Sequence, residues 1–361
     1  MITLGLLREE MPSWFLRTAF FAFGLLWGSF LNVVIYRVPR GMSVVKPASH
    51  CPGCGKPIAA YDNIPVFTYV ILRGRARCCG VKMSPRYPLV ELIGGAISLA
   101  IFEVIVNQLP DGVSLARAAA IYGADFFLAL GLVSAAFIDL EHMILPDSIT
   151  FGGIVLGVVT SSLRDLPIQD SLLGAVIAFV VIWLPFIFLY KGLLGRTGMG
   201  MGDAKLLALA GAWFGWQGAV FVLFAGALQG TVVTLALIGL RIKLELPAAV
   251  QEDIAALRKA AAEGDEEAKQ ELLLDPLTED EDDAFIVRWI GRLWRRVTGR
   301  PEPVAEEKET APPAEEIAEE AHPPRPRIPF GPFLILACLE LLLAGGFIMD
   351  RVHGFLSGVI E

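Results

Sequence analysis

The sequence predicts an all-α polytopic membrane protein with about eight transmembrane helices and a small Cys-containing cytoplasmic loop domain. Composition is the first observation: the 361 residues are 55% hydrophobic and only 19% charged, with a mean hydropathy of +0.59. A soluble domain of this length is less apolar and more charged. The second observation is that several stretches approach the roughly 20 apolar residues needed to cross a bilayer.

The predicted spans are eight apolar stretches, in order 17–36, 88–108, 118–138, 149–164, 171–190, 204–215, 218–240 and 330–349. The stretch 204–215 is short, and a half-buried helix is the alternative interpretation. No small-residue cleavage site follows the first stretch, so we expect it to be a retained anchor.

Charge is distributed unevenly and predicts the orientation. The loop 37–87 contains one acidic residue, Asp62, and the basic residues Arg37, Arg40, Lys46, Lys56, Arg73, Arg75, Arg77, Lys82 and Arg86. The positive-inside rule therefore places this loop in the cytoplasm. Counting spans from it places both termini outside, and it places the turn 139–148, the loop 191–203 and the segment 241–329 on the cytoplasmic side.

Two aspartates at this predicted cytoplasmic face are the candidate catalytic residues. Asp139 and Asp203 each lie at the edge of a long apolar stretch. Two carboxylates in a partly dry site can share one proton, activate a water and protonate a leaving amine, which is the chemistry of an aspartic protease. For Asp139 taken alone, a helix cap or a solvated acid is the alternative.

The residues around Asp203 are candidates for active-site support. Gly200 and Gly202, with Gly198 before them, allow the backbone to turn and to approach a substrate strand closely, and Lys205 follows. The alternative is a Gly-rich loop ending in an N-cap aspartate. A P-loop is excluded because Gly-Lys-Ser/Thr is absent.

Four further acids lie in or beside the apolar stretches. Asp147 follows a proline in a pattern typical of an N-cap; we also assign it to active-site support, together with Glu91 near the start of the second span. Asp125 and Glu340 lie within predicted spans, where each needs protein, water or a partner. Asp125 is about 21 Å from Asp139 along one helix, too far to share a site.

A cysteine pair occurs twice in the basic loop, as Cys51-Pro-Gly-Cys54 and as adjacent Cys78 and Cys79. Disulfides are disfavoured in the cytoplasm, so tetrahedral zinc is the predicted occupant. Three cysteines with His50 are an alternative ligand set, and metal-free thiols are another. A fifth cysteine, Cys338, is expected in the helix core.

The chain is expected to divide into five parts: the first transmembrane helix 1–36, the basic cytoplasmic Cys loop 37–87, the membrane catalytic core 88–240, a cytoplasmic insertion 241–329, and the last transmembrane helix with its tail, 330–361. Within the insertion, composition predicts a soluble helix at 248–273. Residues 284–299 predict an amphipathic helix that lies in the headgroup region or packs on its own membrane body, and 301–328 are predicted to be disordered.

The chain resembles the bacterial type IV prepilin peptidases (leader peptidase and N-methyltransferase), which are GxGD-type integral membrane aspartic proteases. The resemblance rests on blocks in the family's order, at 28–37, 51–54, 62–65, 72–74, 84–91, 138–147, 200–205 and 329–333. It covers most of the chain outside the insertion.

The resemblance implies a concrete function. Such enzymes remove the basic leader from type IV prepilins or type II secretion pseudopilins at the cytoplasmic face, and many then methylate the new N-terminus with S-adenosylmethionine. It implies that Asp139 and Asp203 are the catalytic pair. It also implies a bacterial inner-membrane location, with pilin-like substrates, membrane lipid and pilus or secretion assembly proteins as partners, and no nucleic acid.

The chain departs from the family pattern at two places. The family's second cysteine pair is C-x-x-C, but here Ala76 occupies the first position and Cys78 is displaced, which puts the metal site and the methylation in question. The insertion replaces a short connection and is expected to dock the secretion machinery or the membrane, or to be a passive tether. Two alternative functions remain: a non-catalytic scaffold of pilus or secretion assembly, and an intramembrane aspartic protease of broader specificity.

Overall fold

The computed structural model describes residues 2–190, 199–242, 246–265, 268 and 328–360, and this part of the chain is helical. Within it there are three isolated β-bridges and no strand. The predicted all-α class is therefore confirmed.

Ten α-helices make up the described part. In chain order they are α1 Leu4–Glu10, α2 Ser13–Arg37, α3 Phe67–Ile71, α4 Arg86–Val104, α5 Leu115–His142, α6 Asp147–Val159, α7 Ile168–Ile182, α8 Met201–Gly239, α9 Ala248–Ala262 and α10 Gly331–Ile360. Short 3-10 turns follow α4 and α6, and α7 continues as a π-helix over Trp183–Leu189.

Five of the described helices are long and apolar enough to cross a membrane: Ser13–Arg37, Arg86–Gln108, Leu115–His142, Ile168–Leu189 and Met201–Gly239. Asp147–Val159 and Gly331–Gly345 are apolar but shorter. The chain is thus a multi-pass membrane protein by length and composition, and the predicted number of eight spans is not confirmed.

The predicted spans 204–215 and 218–240 correspond to two helical arms that meet at a kink at Gly215, and α8 denotes both arms together. The backbone of Gly215 has φ 70° and ψ 178°, a conformation that residues with a side chain avoid. The arm before the kink is packed inside the protein, and its Trp213 is only 1% exposed. Trp213 Nε1 donates to Gly153 O at 2.8 Å and ties this arm to α6.

Helix pairs approach closely at glycines. Gly24 in α2 faces Gly94 in α4, and Gly174 in α7 faces Gly211 in α8; in both pairs a methyl group would overlap the opposite backbone. Small residues of this kind allow membrane helices to pack by backbone contact. These crossings build the frame in which the ends of α5 and α8 are held.

The acids inside the membrane body have partners. Asp125, 3% exposed, interacts electrostatically with Arg164, whose guanidinium lies 4.0 Å above the ring of Trp213. Glu340 accepts a hydrogen bond from Gln229 Nε2 at 2.8 Å between α8 and α10. Both acids therefore join helices, as ionisable groups at this depth require.

A second compact unit comprises Trp183–Gly200 and Arg241–Ile328. Its described part includes α9, which covers residues 248–262 of the helix predicted at 248–273. The predicted amphipathic helix at 284–299 lies outside the described residues, as do residues 301–327 of the predicted disordered segment 301–328. The proposed five-part division of the chain remains a prediction.

Candidate active site

Asp139 lies in the last turn of α5 and is 5% exposed. The helix ends three residues later because Met143 takes a left-handed conformation, φ 54°, and its N–H closes back onto Asp139 O at 2.9 Å. This cap ends the helix and changes the direction of the chain shortly after Asp139. The side chain of Asp139 is thereby held at a helix end and packed on most sides.

Asp203 lies in the first turn of α8 and is half-buried. Its carboxylate acts electrostatically on that of Asp139. The structure therefore brings the two candidate catalytic residues together from the end of one helix and the start of another. We call them the aspartate pair.

A backbone group that the sequence did not predict completes this arrangement. The N–H of Gly331, the first residue of α10, donates a hydrogen bond to the carboxylate of Asp139. A β-carbon at Gly331 would overlap Asp139 Oδ2. The one available signal was a glycine between Phe330 and Pro332 at the start of the last apolar stretch.

Leu145 lies between the two glycines that flank the aspartate pair. A β-carbon on Gly202 would be 3.0 Å from Leu145 Cβ, and one on Gly331 would be 3.3 Å from Leu145 Cδ1. Gly202 therefore allows a close approach of Leu145, and its predicted close approach to a substrate strand stays a prediction. Gly200 lies directly before α8.

Lys205 and Asp147 form an ion pair beside the aspartate pair. Lys205 Nζ lies 2.5 Å from Asp147 Oδ1 and 5.3 Å from the ring centroid of Phe151. The interpretation of Asp147 as the N-cap was wrong: Pro146 occupies that position and Asp147 is the first residue of α6. From this position its carboxylate reaches Lys205 of α8.

Glu91 fastens the Cys loop to the membrane body. It is 8% exposed, its Oε2 accepts from the backbone N–H of Val66 at 2.6 Å, and it hydrogen-bonds Ser29 of α2. Val66 has a φ of 59°, a strained conformation for a β-branched residue that a bond of this kind helps to hold. The contacts of Glu91 described here are therefore with the Cys loop and with α2, and its predicted support of the active site stays a prediction.

The four cysteines of the Cys loop converge. Their sulfur atoms all lie within 4.8 Å of one another. Cys54 Sγ is 3.3 Å from Cys78 Sγ, and Cys51 Sγ is 3.6 Å from Cys79 Sγ. With zinc–sulfur bonds of about 2.3 Å, a tetrahedral site has sulfurs about 3.8 Å apart, so the four thiols fit one zinc ion.

The two cysteine turns are built alike. In the first turn, Cys51 N–H donates to Lys56 O and Gly55 N–H donates to Cys51 O. In the second turn, Ala76 N–H donates to Val81 O and Gly80 N–H donates to Ala76 O. All four hydrogen bonds measure 2.8–2.9 Å. Ala76 therefore occupies the position of Cys51 in its turn. Cys79 corresponds to Cys54, and Cys78 extends from the tip of the turn to supply the fourth sulfur.

The pKa values of two thiols in this cluster shift in opposite directions. Hydrogen bonds, first from the backbone N–H of Gly53, lower the pKa of Cys51 to about 6. Hydrogen bonds with Cys54 and then with Cys51 raise the pKa of Cys78 to about 12. One thiolate surrounded by thiols is an environment that a thiophilic cation stabilises. His50 is not part of this cluster.

Comparison with known proteins gives a consistent result. Residues 22–105 match the bacterial peptidase A24 N-terminal domain, and residues 126–235 match the type IV leader peptidase family. No solved structure matches.

Among similar proteins, the prepilin leader peptidase/N-methyltransferase of Myxococcus xanthus (strain DK1622) is 35% identical over 335 residues, covering 90% of this chain and 89% of the relative. Its counterpart from Klebsiella pneumoniae is 39% identical over 204 residues, covering 55% and 84%. That from Neisseria gonorrhoeae is 37% identical over 238 residues, covering 59% and 79%. The chain therefore belongs to the type IV leader peptidase family.

Proposed function

We propose that the chain is a membrane aspartic endopeptidase that removes the basic leader from type IV prepilins or type II secretion pseudopilins and then methylates the new N-terminal amine. The observation that carries the proposal is the meeting of Asp139 and Asp203, in electrostatic contact at the ends of α5 and α8. The names of the relatives support the substrate class and both activities.

Proteolysis follows from two carboxyl groups that share one proton. The ionised carboxylate accepts a proton from a water molecule as the water oxygen attacks the scissile carbonyl carbon. The protonated partner donates a hydrogen bond to the developing oxyanion. As the tetrahedral intermediate collapses, the C–N bond breaks and the amine leaves with a proton. Either of Asp139 and Asp203 can fill either role in this scheme.

Methylation uses the amine that cleavage releases. S-adenosylmethionine is the proposed methyl donor, and it enters as a co-substrate. The neutral amine takes the methyl group from the donor's sulfonium, the C–S bond breaks, and the nitrogen then loses a proton. The support for this activity is the N-methyltransferase in the names of the relatives.

Cys51, Cys54, Cys78 and Cys79 are the proposed zinc ligands. Their mutual distances suit a tetrahedral site, and four cysteines would leave no open position for catalysis, so the ion is structural. A structural zinc would fix the two cysteine turns against each other. Through Val66 and Glu91, that order would extend to the start of the membrane body.

The bacterial inner membrane is the proposed location, with the aspartate pair at the cytoplasmic face. The basic Cys loop supports this orientation through the positive-inside rule. Pilin-like substrates would approach through the lipid, and pilus or secretion assembly proteins are the proposed further partners.

The test is coexpression with a prepilin that carries a Lys/Arg-rich leader and a Gly-Phe junction, followed by intact-mass measurement. Wild type should give loss of the leader plus about 14 Da for one methyl group. Asp139→Asn and Asp203→Asn should each slow cleavage by at least about 1,000-fold, because neither activation of water nor protonation survives. Asp170→Asn, an exposed acid in the first turn of α7, is the matched control.

Three outcomes would contradict the proposal. Either asparagine variant cleaving at the wild-type rate would remove the aspartate pair as the catalytic group. Equal cleavage of unrelated transmembrane peptides would favour a broader protease. Binding of prepilin by wild type without any cut would favour the scaffold.

A further inference from the structure

We infer that Gly331 is a positioning residue of the proposed protease: its backbone N–H and its lack of a side chain together fix the carboxylate of Asp139. This inference rests on the proposed function. It adds the start of α10 to a site otherwise formed by the ends of α5 and α8.

The hydrogen bond to Asp139 comes from a group that its own helix leaves free. Gly331 is the first residue of α10, and the first N–H groups of a helix have no partner within it. The N–H of Gly331 donates to the Asp139 carboxylate. This hydrogen bond restrains one oxygen of the carboxyl group and leaves the other oxygen for Asp203, water or substrate.

The same contact requires glycine. A β-carbon at position 331 would overlap Asp139 Oδ2 and approach Leu145 Cδ1 to 3.3 Å. Leu145 itself is packed on Gly202, one residue before Asp203. A side chain at 331 would therefore push either on Asp139 directly or, through Leu145, on the turn that holds Asp203.

Helix α10 has little freedom to move away from such an overlap. Its Leu334 is fully buried and packs on Gly226 of α8, while Phe333 packs on Gly230. These contacts lie within one turn of Gly331. Because the helix is fixed by them, the carboxylate of Asp139 is the group that must shift.

Displacement of the Asp139 carboxylate is expected to lower the catalytic rate and to change substrate affinity little. Catalytic groups act only within a narrow range of positions, and a displacement of about 1 Å can cost about 100-fold in rate. The prepilin touches far more of the enzyme than one carboxylate oxygen. The expected signature of Gly331→Ala is thus a loss in kcat at nearly constant KM.

The experiment compares full-length wild type, Gly331→Ala and Gly230→Ala in detergent, with a purified prepilin. Gly331→Ala should lower kcat at least about 100-fold and change KM less than about 3-fold, with an unchanged melting temperature and unchanged methylation of a pre-cut pilin. Gly230→Ala adds the same methyl group to the same helix interface, 3.2 Å from the Phe333 ring. It should keep kcat within about 3-fold of wild type.

Several results would overturn the inference. One is a Gly331→Ala enzyme that cuts as fast as wild type. Others are an equal loss in Gly230→Ala, a lowered melting temperature, or a raised KM at constant kcat, since each indicates a packing role. A wild-type enzyme that leaves every prepilin uncut would overturn the proposed function itself, and this inference with it.

Discussion

At the residue scale, the aspartate pair depends on where two helices stop and start. Asp139 is in the last turn of α5 and Asp203 is in the first turn of α8. Helix ends expose N–H and C=O groups that have no intrahelical partner. The last turn of α5 and the first turn of α8 therefore place such backbone groups beside the two carboxylates.

The ion pair between Lys205 and Asp147 yields a prediction about support of this pair. It ties the first turn of α8 to the first turn of α6 at 2.5 Å, with Lys205 20% and Asp147 62% exposed. Partly exposed pairs contribute about 0.2–1 kcal/mol. Lys205→Met should therefore lower kcat/KM for prepilin cleavage about 1.4- to 5-fold, and Asp147→Asn should lower it less.

Steady-state cleavage rates of both single variants and the double variant would measure this coupling. Lys259→Met, which removes a 79% exposed lysine of α9 from its pair with Glu263, is the control and should change nothing. Full activity of Lys205→Met would show that the pair is only a surface contact.

Sequence patterns predicted the candidate catalytic residues by their acidic side chains and missed Gly331, whose proposed role depends on its backbone. Asp139 and Asp203 stood out because both lie at the edge of a long apolar stretch and on the same predicted face of the membrane. Gly331 gave no such signal, because a donating N–H is common to every residue except proline. Its contact also joins parts of the chain far apart in sequence, and one sequence alone does not reveal such a contact.

At the element scale, the Cys loop shows how a changed motif keeps its geometry. Its two turns have the same backbone hydrogen bonds, with Ala76 where the first turn has Cys51. The sulfur missing at 76 is replaced by Cys78, whose Sγ lies 3.3 Å from that of Cys54. The departure seen in the sequence thus changes which position supplies the fourth sulfur and leaves the number of sulfurs in the cluster at four.

This equivalence predicts the outcome of a ligand swap. Purified wild type should contain about one zinc per chain, and Cys78→Ser should lose most of it, because three thiolates hold the ion less well than four. The double variant Ala76→Cys, Cys78→Ala should regain it, since it restores two matching C-x-x-C turns. Metal content by mass spectrometry is the measurement.

Cys338→Ser is the control for this swap, because Cys338 is buried in α10 outside the cluster. It should keep the metal. Wild type purified without zinc under metal-replete conditions, or a Cys78→Ser protein that retains it fully, would refute a four-cysteine site.

Helix α8 shows which elements a sequence pattern describes well. The apolar stretches on both sides of Gly215 were predicted, and both are helical. The boundary between them was expected at about residues 216–217, and the two helical arms meet at the non-helical Gly215. Hydropathy averages over many residues and cannot distinguish a loop from a single glycine with positive φ.

At the scale of the whole molecule, orientation follows from charge. A net charge of −8 conceals the basic Cys loop, and membrane topology responds to lysine and arginine near the spans far more than to the total. By this rule we predict that the Cys loop and the aspartate pair both face the cytoplasm.

Labelling from one side of the membrane tests this orientation. In a variant with all five cysteines changed to serine, single cysteines at Met42 and Ser148 should resist an impermeant maleimide in spheroplasts and react in inverted vesicles. A cysteine at Gln169 should do the opposite, because one span lies between Ser148 and Gln169 in the predicted topology. All three positions are exposed. Reaction of the Ser148 position from outside would contradict the assignment.

Global features were less predictable than local ones. The number of spans was not fixed by hydropathy because α6 is too short, at 13 residues, to be recognised as a span by length.

The insertion departs from the usual family pattern, yet the Myxococcus xanthus relative covers 90% of this chain, so its match extends across the insertion.

The contact of Gly331 with Asp139 also implies that the catalytic site is completed late in synthesis of the chain. A ribosome completes both aspartates long before it reaches position 331, so a nascent chain already inserted through α8 still lacks the donor that orients Asp139. Protease competence would then arrive only with the last helix. A half-made enzyme could sit among newly inserted membrane proteins without cutting them.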